Sequence, residues 1–210
     1  MKTTRAFSLL ELLVVISIVA IMMVLSGPMI VSLVHSQSED VAITDLSAAL
    51  EEARAYAMAN NTYVRVGFGE VSKPGLGPQL VVLSVSSVDG TLSAATPSDL
   101  ASTQKWPAAG LPLVLSNFNV NNGLGDTSDT TPDATDFPAF SRSVGKLGMI
   151  SFNGCIQFGP SGGARVDSAL PSRFIKIGVD RPAPLAGKNP FVVRMAGLTG
   201  TIMVLRKESL

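Results

Sequence analysis

The chain has 210 residues, 46% of them hydrophobic and only 15% charged, with 16 Lys+Arg set against 16 Asp+Glu. That size fits one domain or two, the low charge is not that of a disordered segment, and the balanced charge makes nucleic acid an unexpected partner. A single cysteine, Cys155, excludes an intramolecular disulfide framework, and a single histidine, His35, argues against a histidine-based catalytic or metal centre.

The apolar residues are concentrated at the start. From Phe7 to Ser26 there are 20 residues, and Glu11 is the one charged residue among them. As a helix this run is about 30 Å long, the thickness of the hydrocarbon part of a bilayer. Lys2 and Arg5 precede it, and Glu39 and Asp40 follow. The basic flank therefore predicts a cytoplasmic N-terminus, a single pass and an exported remainder. A secretory signal peptide shares the basic start, but its apolar part runs to about 7–15 residues. Here the apolar character continues past Gly27-Pro28 through Met29, Ile30, Val31, Leu33 and Val34. Glu11 is the stronger discriminator, because an acid inside a membrane helix costs about 2.5–3.5 kcal/mol on translocon scales and needs compensation.

The stretch Arg5-Ala6-Phe7-Ser8-Leu9-Leu10-Glu11-Leu12-Leu13-Val14-Val15-Ile16 resembles the leader and first helix of type IV pilins and of type II secretion pseudopilins. In that family prepilin peptidase cuts on the cytoplasmic side, before a phenylalanine that it then N-methylates, and a glutamate is the fifth mature residue. The resemblance implies cleavage between Ala6 and Phe7, N-methylation of Phe7 and an assembly role for Glu11. The family usually has glycine before the cut, and here Ala6 stands there. Pro28 lies where many members carry a helix-softening proline. Physically, the new amine on one subunit and Glu11 of a staggered neighbour would neutralise each other in low dielectric, favouring an ordered stack over monomers dissolved in lipid.

At Pro28 we expect a kink followed by more helix, since proline removes a donor and crowds the preceding turn. Beyond it Ile43, Leu46, Leu50, Ala53 and Ala57 recur at three- and four-residue steps, with Asp45, Glu51, Glu52 and Arg54 around the remaining surface. One helix from about Phe7 to Ala59 is expected, stopped at Asn60-Asn61. Strands are expected over 62–68, 79–88, 113–120, 149–152, 155–158, 173–179, 191–196 and 201–206, with an Asn153-Gly154 turn before Cys155 and a hairpin bracketed by Gly197 and Gly200. The region from Ala94 to Lys146, with Pro97, Pro107, Pro112, Pro132 and Pro138, reads as a long variable excursion around one strand.

The expected fold is thus α+β, a long N-terminal helix packed against an antiparallel β-sandwich. Its segments are a leader at 1–6, a transmembrane and assembly half at 7–34, an amphipathic half at 35–60, and an exported β domain at 61–210 with a variable loop near 94–147. It looks like the H-type minor pseudopilins and FimT-like minor pilins, on Ile150-Ser151-Phe152-Asn153-Gly154, on Phe174-Ile175-Lys176-Ile177-Gly178-Val179 and on Leu198-Thr199-Gly200. A cassette-encoded pilin-like protein of the Verru_Chthon D type is a narrower resemblance. The family implies a structural subunit, not an enzyme, with no cofactor and no metal. Its implied partners are prepilin peptidase, other pilin or pseudopilin subunits, an inner-membrane assembly platform and membrane lipid, and its implied location is the inner membrane and then a filament.

Other groupings have plainer readings. Gly67-Phe68-Gly69 with Gly75 and Gly77 lacks the Lys-Ser/Thr of a phosphate loop and reads as a turn between strands. Asp126, Asp129, Asp133 and Asp136 lack the alternating spacing of a calcium loop and read as a solvated segment. Cys155 has no downstream histidine to activate it and reads as a buried filler. Arg206-Lys207 resembles the basic tail of DNA-uptake minor pilins, but Thr201 follows Gly200 where those often carry arginine, so DNA binding is not expected. The competing class is an exported enzyme or binding module on a membrane tether, which would tolerate loss of Glu11.

Overall fold

The computed structural model describes residues 9–73, 77–90, 97–121, 124, 139–166, 172–183, 185–187 and 189–206, and at 11, 21–37 and 73 it describes the backbone alone. The first element is a 51-residue helix, α1 (Leu9–Ala59), unbroken through Gly27-Pro28. It ends as the asparagine pair predicts. Asn61 takes a left-handed φ of 50°, Thr62 N donates to Ala57 O at 3.0 Å and Asn61 N reaches Met58 O at 3.4 Å. These two bonds around a left-handed residue satisfy carbonyls that the last helical turn would otherwise leave open.

The chain divides into two compact units, Met1–Val41 and Ala42–Leu210. In the second unit, Ala42, Leu46, Leu50, Ala53 and Ala57 of α1 are all 2% exposed or less, and they belong to the same hydrophobic core as the strands. Full burial of Leu46 and Leu50 alone contributes about 1.5–3 kcal/mol each. Asp45, Glu51 and Glu52 are exposed, and Arg54 pairs with Glu51 at 3.2 Å.

The rest of this unit is antiparallel sheet. The first sheet has the order β3-β2-β1-β6-β5, with β1 (Val64–Lys73), β2 (Gly77–Ser86), β3 (Leu113–Ser116), β5 (Phe140–Ser143) and β6 (Met149–Phe158), and a short β7 (Ala164–Arg165) also on β6. The second has the order β10-β9-β8-β4, with β4 (Asn119–Val120), β8 (Phe174–Asp180), β9 (Phe191–Ala196) and β10 (Ile202–Arg206). Both sheets and the outer half of α1 feed one core. The expected hairpin after β9 is present: Gly200 has φ 66° and donates to Ala196 O at 2.7 Å.

Four sequence expectations need correction. The strand expected over 113–120 is two strands in different sheets, because Asn117 adopts φ 63° and donates to Pro78 O at 2.9 Å. The chain crosses there, and Phe118 is buried edge-to-face on Phe191 with centroids 6.2 Å apart. The strands expected over 149–152 and 155–158 are one strand, β6, with no turn at Asn153-Gly154. Against β1 the register jumps from Phe68↔Gly154 to Gly69↔Phe152, so Asn153 is a bulge. Gly67 and Gly69 lie inside β1, not in a turn. A Cβ at Gly67 would stand 2.8 Å from Phe140 Cζ, and one at Gly69 would stand 2.7 Å from Ile150 Cγ2, so both glycines make room for side chains of the neighbouring strands.

Fourthly, the excursion over 94–147 holds more than one strand. Its described residues form α2 (Pro97–Ala101), β3, β4, β5 and a 3-10 turn at Gly145–Leu147. Trp106 covers one face of the first sheet, and the residues after it run along the edge of β2, Ala109 N donating to Ser84 O at 2.9 Å. Leu100 and Trp106 are buried, the Arg65 guanidinium lies 5.4 Å from the Trp106 ring centroid, and Arg142 Nη1 donates to Trp106 O at 2.6 Å.

Candidate functional site

The N-terminal part of α1 is the surface most in need of a partner. Leucine, valine and isoleucine supply nine of the twelve residues over 9–20, with no glycine or proline to interrupt the helix. Leu9 is 82% exposed, Leu12 60% and Ile16 58%, and every side chain described between Leu9 and Ala20 is exposed. The one described hydroxyl in this stretch is satisfied by the helix itself, Ser17 Oγ donating to Leu13 O at 2.8 Å. A helix that is apolar all round is a helix meant to be surrounded, by lipid or by other helices. Among the described residues no helix is long and apolar enough to cross a membrane. The run Phe7–Ser26 extends outside them at 7 and 8 and, for side chains, at 11 and 21–26.

Of the residues expected to act, Ala6 and Phe7 lie outside the described residues. Glu11 is placed by its backbone in the first turn of α1, between exposed Leu10 and Leu12, and Pro28 sits within the continuous helix. His35 lies on the same helix with its backbone alone described. Asp126, Asp129, Asp133 and Asp136 fall outside the described residues, as does Lys207, while Arg206 is exposed at the end of β10.

In the β part the ionisable groups read as structure. Cys155 is fully buried, and burial pushes its thiol up to about 12, against a smaller opposing effect of Arg65. A thiol so held is neither a nucleophile nor a ready metal ligand. Arg65 is itself 4% exposed. Burial lowers its pKa, Cys155 partly opposing, and its Nε donates to Gln157 Oε1 at 2.9 Å. Burial likewise lowers the pKa of Arg142. Asp180 accepts from the backbone N–H of Arg181 at 2.7 Å and of Gly187 at 3.1 Å, closing the loop that follows β8.

One feature escaped the sequence reading, a polar recess of about 130 Å³ lined by Tyr63, Gln157, Arg165 and the turns at 159–163 and 197–198. Nothing local announced it, since Arg165 reaches Gln157 only through the pairing of β7 with β6.

Residues 1–27 match the family described as the prokaryotic N-terminal methylation motif. This motif is the signature found at the N-terminus of type IV pilins and pseudopilins, and it supports a pilin-like substrate of prepilin peptidase. No curated protein and no solved structure matches the chain.

Proposed function

We propose that the chain is a minor pilin or pseudopilin subunit, cut by prepilin peptidase between Ala6 and Phe7, N-methylated on Phe7, and drawn from the inner membrane into a type IV pilus or type II secretion pseudopilus. The observation that carries this reading is the pairing of a methylation motif over 1–27 with a helix whose apolar side chains from Leu9 to Ala20 have no cover of their own. Before assembly, lipid covers them. After it, the helices of neighbouring subunits do, and Glu11 meets the methylated amine of an adjacent chain, which removes the cost of an isolated carboxylate.

In this reading the first part of α1 spans the inner membrane once, with the basic flank in the cytoplasm and the β part in the periplasm. The two antiparallel sheets and the amphipathic stretch of α1 support a pilin-like architecture, in which a sandwich sits on the outer half of the helix. The chain is a structural subunit, not an enzyme. Its partners are the peptidase, other subunits, the assembly platform and lipid, with nucleic acid left out. The bulk of the part beyond residue 60 favours a place at the filament tip or in priming assembly over a repeating place in the shaft.

The test is the mature terminus. Coexpressed with an active prepilin peptidase, the chain should give a mass beginning at N-methylated Phe7, and Glu11→Ala should be processed yet fail to enter filaments. Met1 retained beside an active peptidase overturns the reading, and unchanged incorporation of Glu11→Ala removes the role of that carboxylate. Abundance equal to that of the shaft subunit in purified filaments would reverse the minor assignment.

A further inference from the structure

The recess at the end of the first sheet is assembled from elements distant in sequence. β6 and β7 form a hairpin closed by Gly159 N donating to Gly163 O at 3.0 Å, and the hairpin is tied to the β9–β10 turn by Ala164 N donating to Gly197 O at 2.8 Å. Between these two turns lies the opening of about 130 Å³, far above the roughly 10–15 Å³ that one water molecule needs. Glycines at 159, 163 and 197 form part of its wall, and a Cβ at Gly163 would come 3.0 Å from the Gly197 carbonyl.

Gln157 is the informative residue. It is 1% exposed, and its Oε1 accepts from Arg65 Nε at 2.9 Å. Because a guanidinium only donates, that contact fixes which end of the amide is oxygen. The other end, Nε2, is a buried donor with no acceptor among the described residues. Gln157 pairs directly with Arg165 across β6 and β7, so their side chains share one face, and both line the recess. Among the described residues lining it there is no aspartate or glutamate. A neutral donor beside a guanidinium, with no acid among the described lining residues, suits an acceptor carrying negative charge.

We propose that this recess is a binding site for a carboxylate group, one oxygen taking the Gln157 Nε2–H and the charge facing Arg165. Two sources share this chemistry, a free small acid and an acidic side chain of a second copy of this chain. The site is independent of the assembly role of α1, and its test leaves residues 1–28 untouched.

The experiment follows the side-chain amide of Gln157 and the Nε of Arg165 by NMR in the ¹⁵N-labelled full-length chain in detergent micelles. Sodium acetate replaces sodium chloride at fixed pH and ionic strength. A saturable shift with a midpoint of about 1–10 mM is expected. Arg165→Gln, a change at a half-exposed position, should raise that midpoint at least about tenfold. Gln157→Glu keeps an acceptor for Arg65 but puts a like charge in place of the donor, and it should abolish the shift. Shifts that appear on raising protein concentration without acetate would assign the carboxylate to a second copy. The proposal is overturned if acetate acts as chloride does and concentration has no effect, which would leave water as the partner of Gln157, or if Arg165→Gln leaves the midpoint where it was.

Discussion

Gly67→Ala probes the packing of the β part most directly, because this position is occupied from the other side. The added methyl would stand 2.8 Å from Phe140 Cζ, 2.9 Å from Phe140 Cε1 and 3.1 Å from Phe152 Cβ, well inside the roughly 3.5–4.0 Å at which carbon atoms rest. Neither ring has room to retreat. Phe140 is 2% exposed, Phe152 is fully buried, and the two stack at 4.9 Å with 21° between their planes. An extra methyl in a filled core costs about 1–3 kcal/mol. Replacing glycine within a strand returns about 0.5–1 kcal/mol of that through the unfolded chain. A net loss of about 1–2 kcal/mol is expected, which at a urea slope of about 1–3 kcal/mol/M lowers the midpoint by roughly 0.5–1 M. Trp106, the single tryptophan of the chain and buried over the same face, reports the transition by fluorescence. Phe140→Ala alone costs about 3–5 kcal/mol, and with that ring gone Gly67→Ala should cost distinctly less than in the wild type, because the 3.1 Å approach to Phe152 Cβ is the one close contact left. A midpoint unmoved by Gly67→Ala, or two losses that simply add, would refute the reasoning.

Leu50→Ala removes a fully buried side chain from the amphipathic half of α1 and should cost about 2–5 kcal/mol, whereas Leu12→Ala, at a 60% exposed position, should leave the urea midpoint of the β part within about 0.5 kcal/mol of wild type. Asn61→Gly should be neutral to within a few tenths of a kcal/mol, while Asn61→Val should cost about 1–2 kcal/mol, because a branched side chain at φ 50° is strained; thermal unfolding of the two variants distinguishes them. Cys155 keeps its proton to about 12 when folded and loses it at the ordinary 9.0 when unfolded. Its contribution to stability is therefore whole below pH 9 and falls by about 1.4 kcal/mol per pH unit above it. Urea midpoints of wild type and Cys155→Ala should converge as pH rises from 9 towards 11, and parallel curves would exclude the effect.

Periodicity made α1 legible almost to the residue. Leu46, Leu50, Ala53 and Ala57 fall in the core as their spacing requires, and the asparagine pair marks the stop. Of the stripe expected in the sequence, Ile43 alone is displaced, half-buried beside Ala42, which takes the core position. The strands with β-branched runs, β2, β8 and β9, were likewise legible. Asparagine and glycine misled in the sheets because their meaning is set by distant neighbours. Asn153-Gly154 reads locally as a turn, yet its strand is held on both sides by β1, β5 and β7. Asn117 reads as an interior strand residue, yet its left-handed backbone moves the chain from one sheet to the other. Short β5 and β7 carry no alternating apolar pattern long enough to mark them, and they exist because β6 offers an edge to each. The N-terminal methylation motif was legible for a different reason: it is a linear pattern along the chain and needs no tertiary partner.

The bulge at Asn153 decides which way half of β6 looks. Ahead of it Ile150 and Phe152 point inward while Met149, Ser151 and Asn153 face water; behind it every residue from Gly154 to Phe158 is enclosed. Were the bulge lost with Asn153 still in the chain, Gly69 would pair with Asn153 and the residues ahead of it would slip by one, carrying two large side chains out to solvent and drawing a methionine and a serine in, whereas a chain lacking Asn153 would keep Phe152 opposite Gly69. The unpaired backbone at this one point is therefore as much a part of the fold's specification as the identity of any side chain around it.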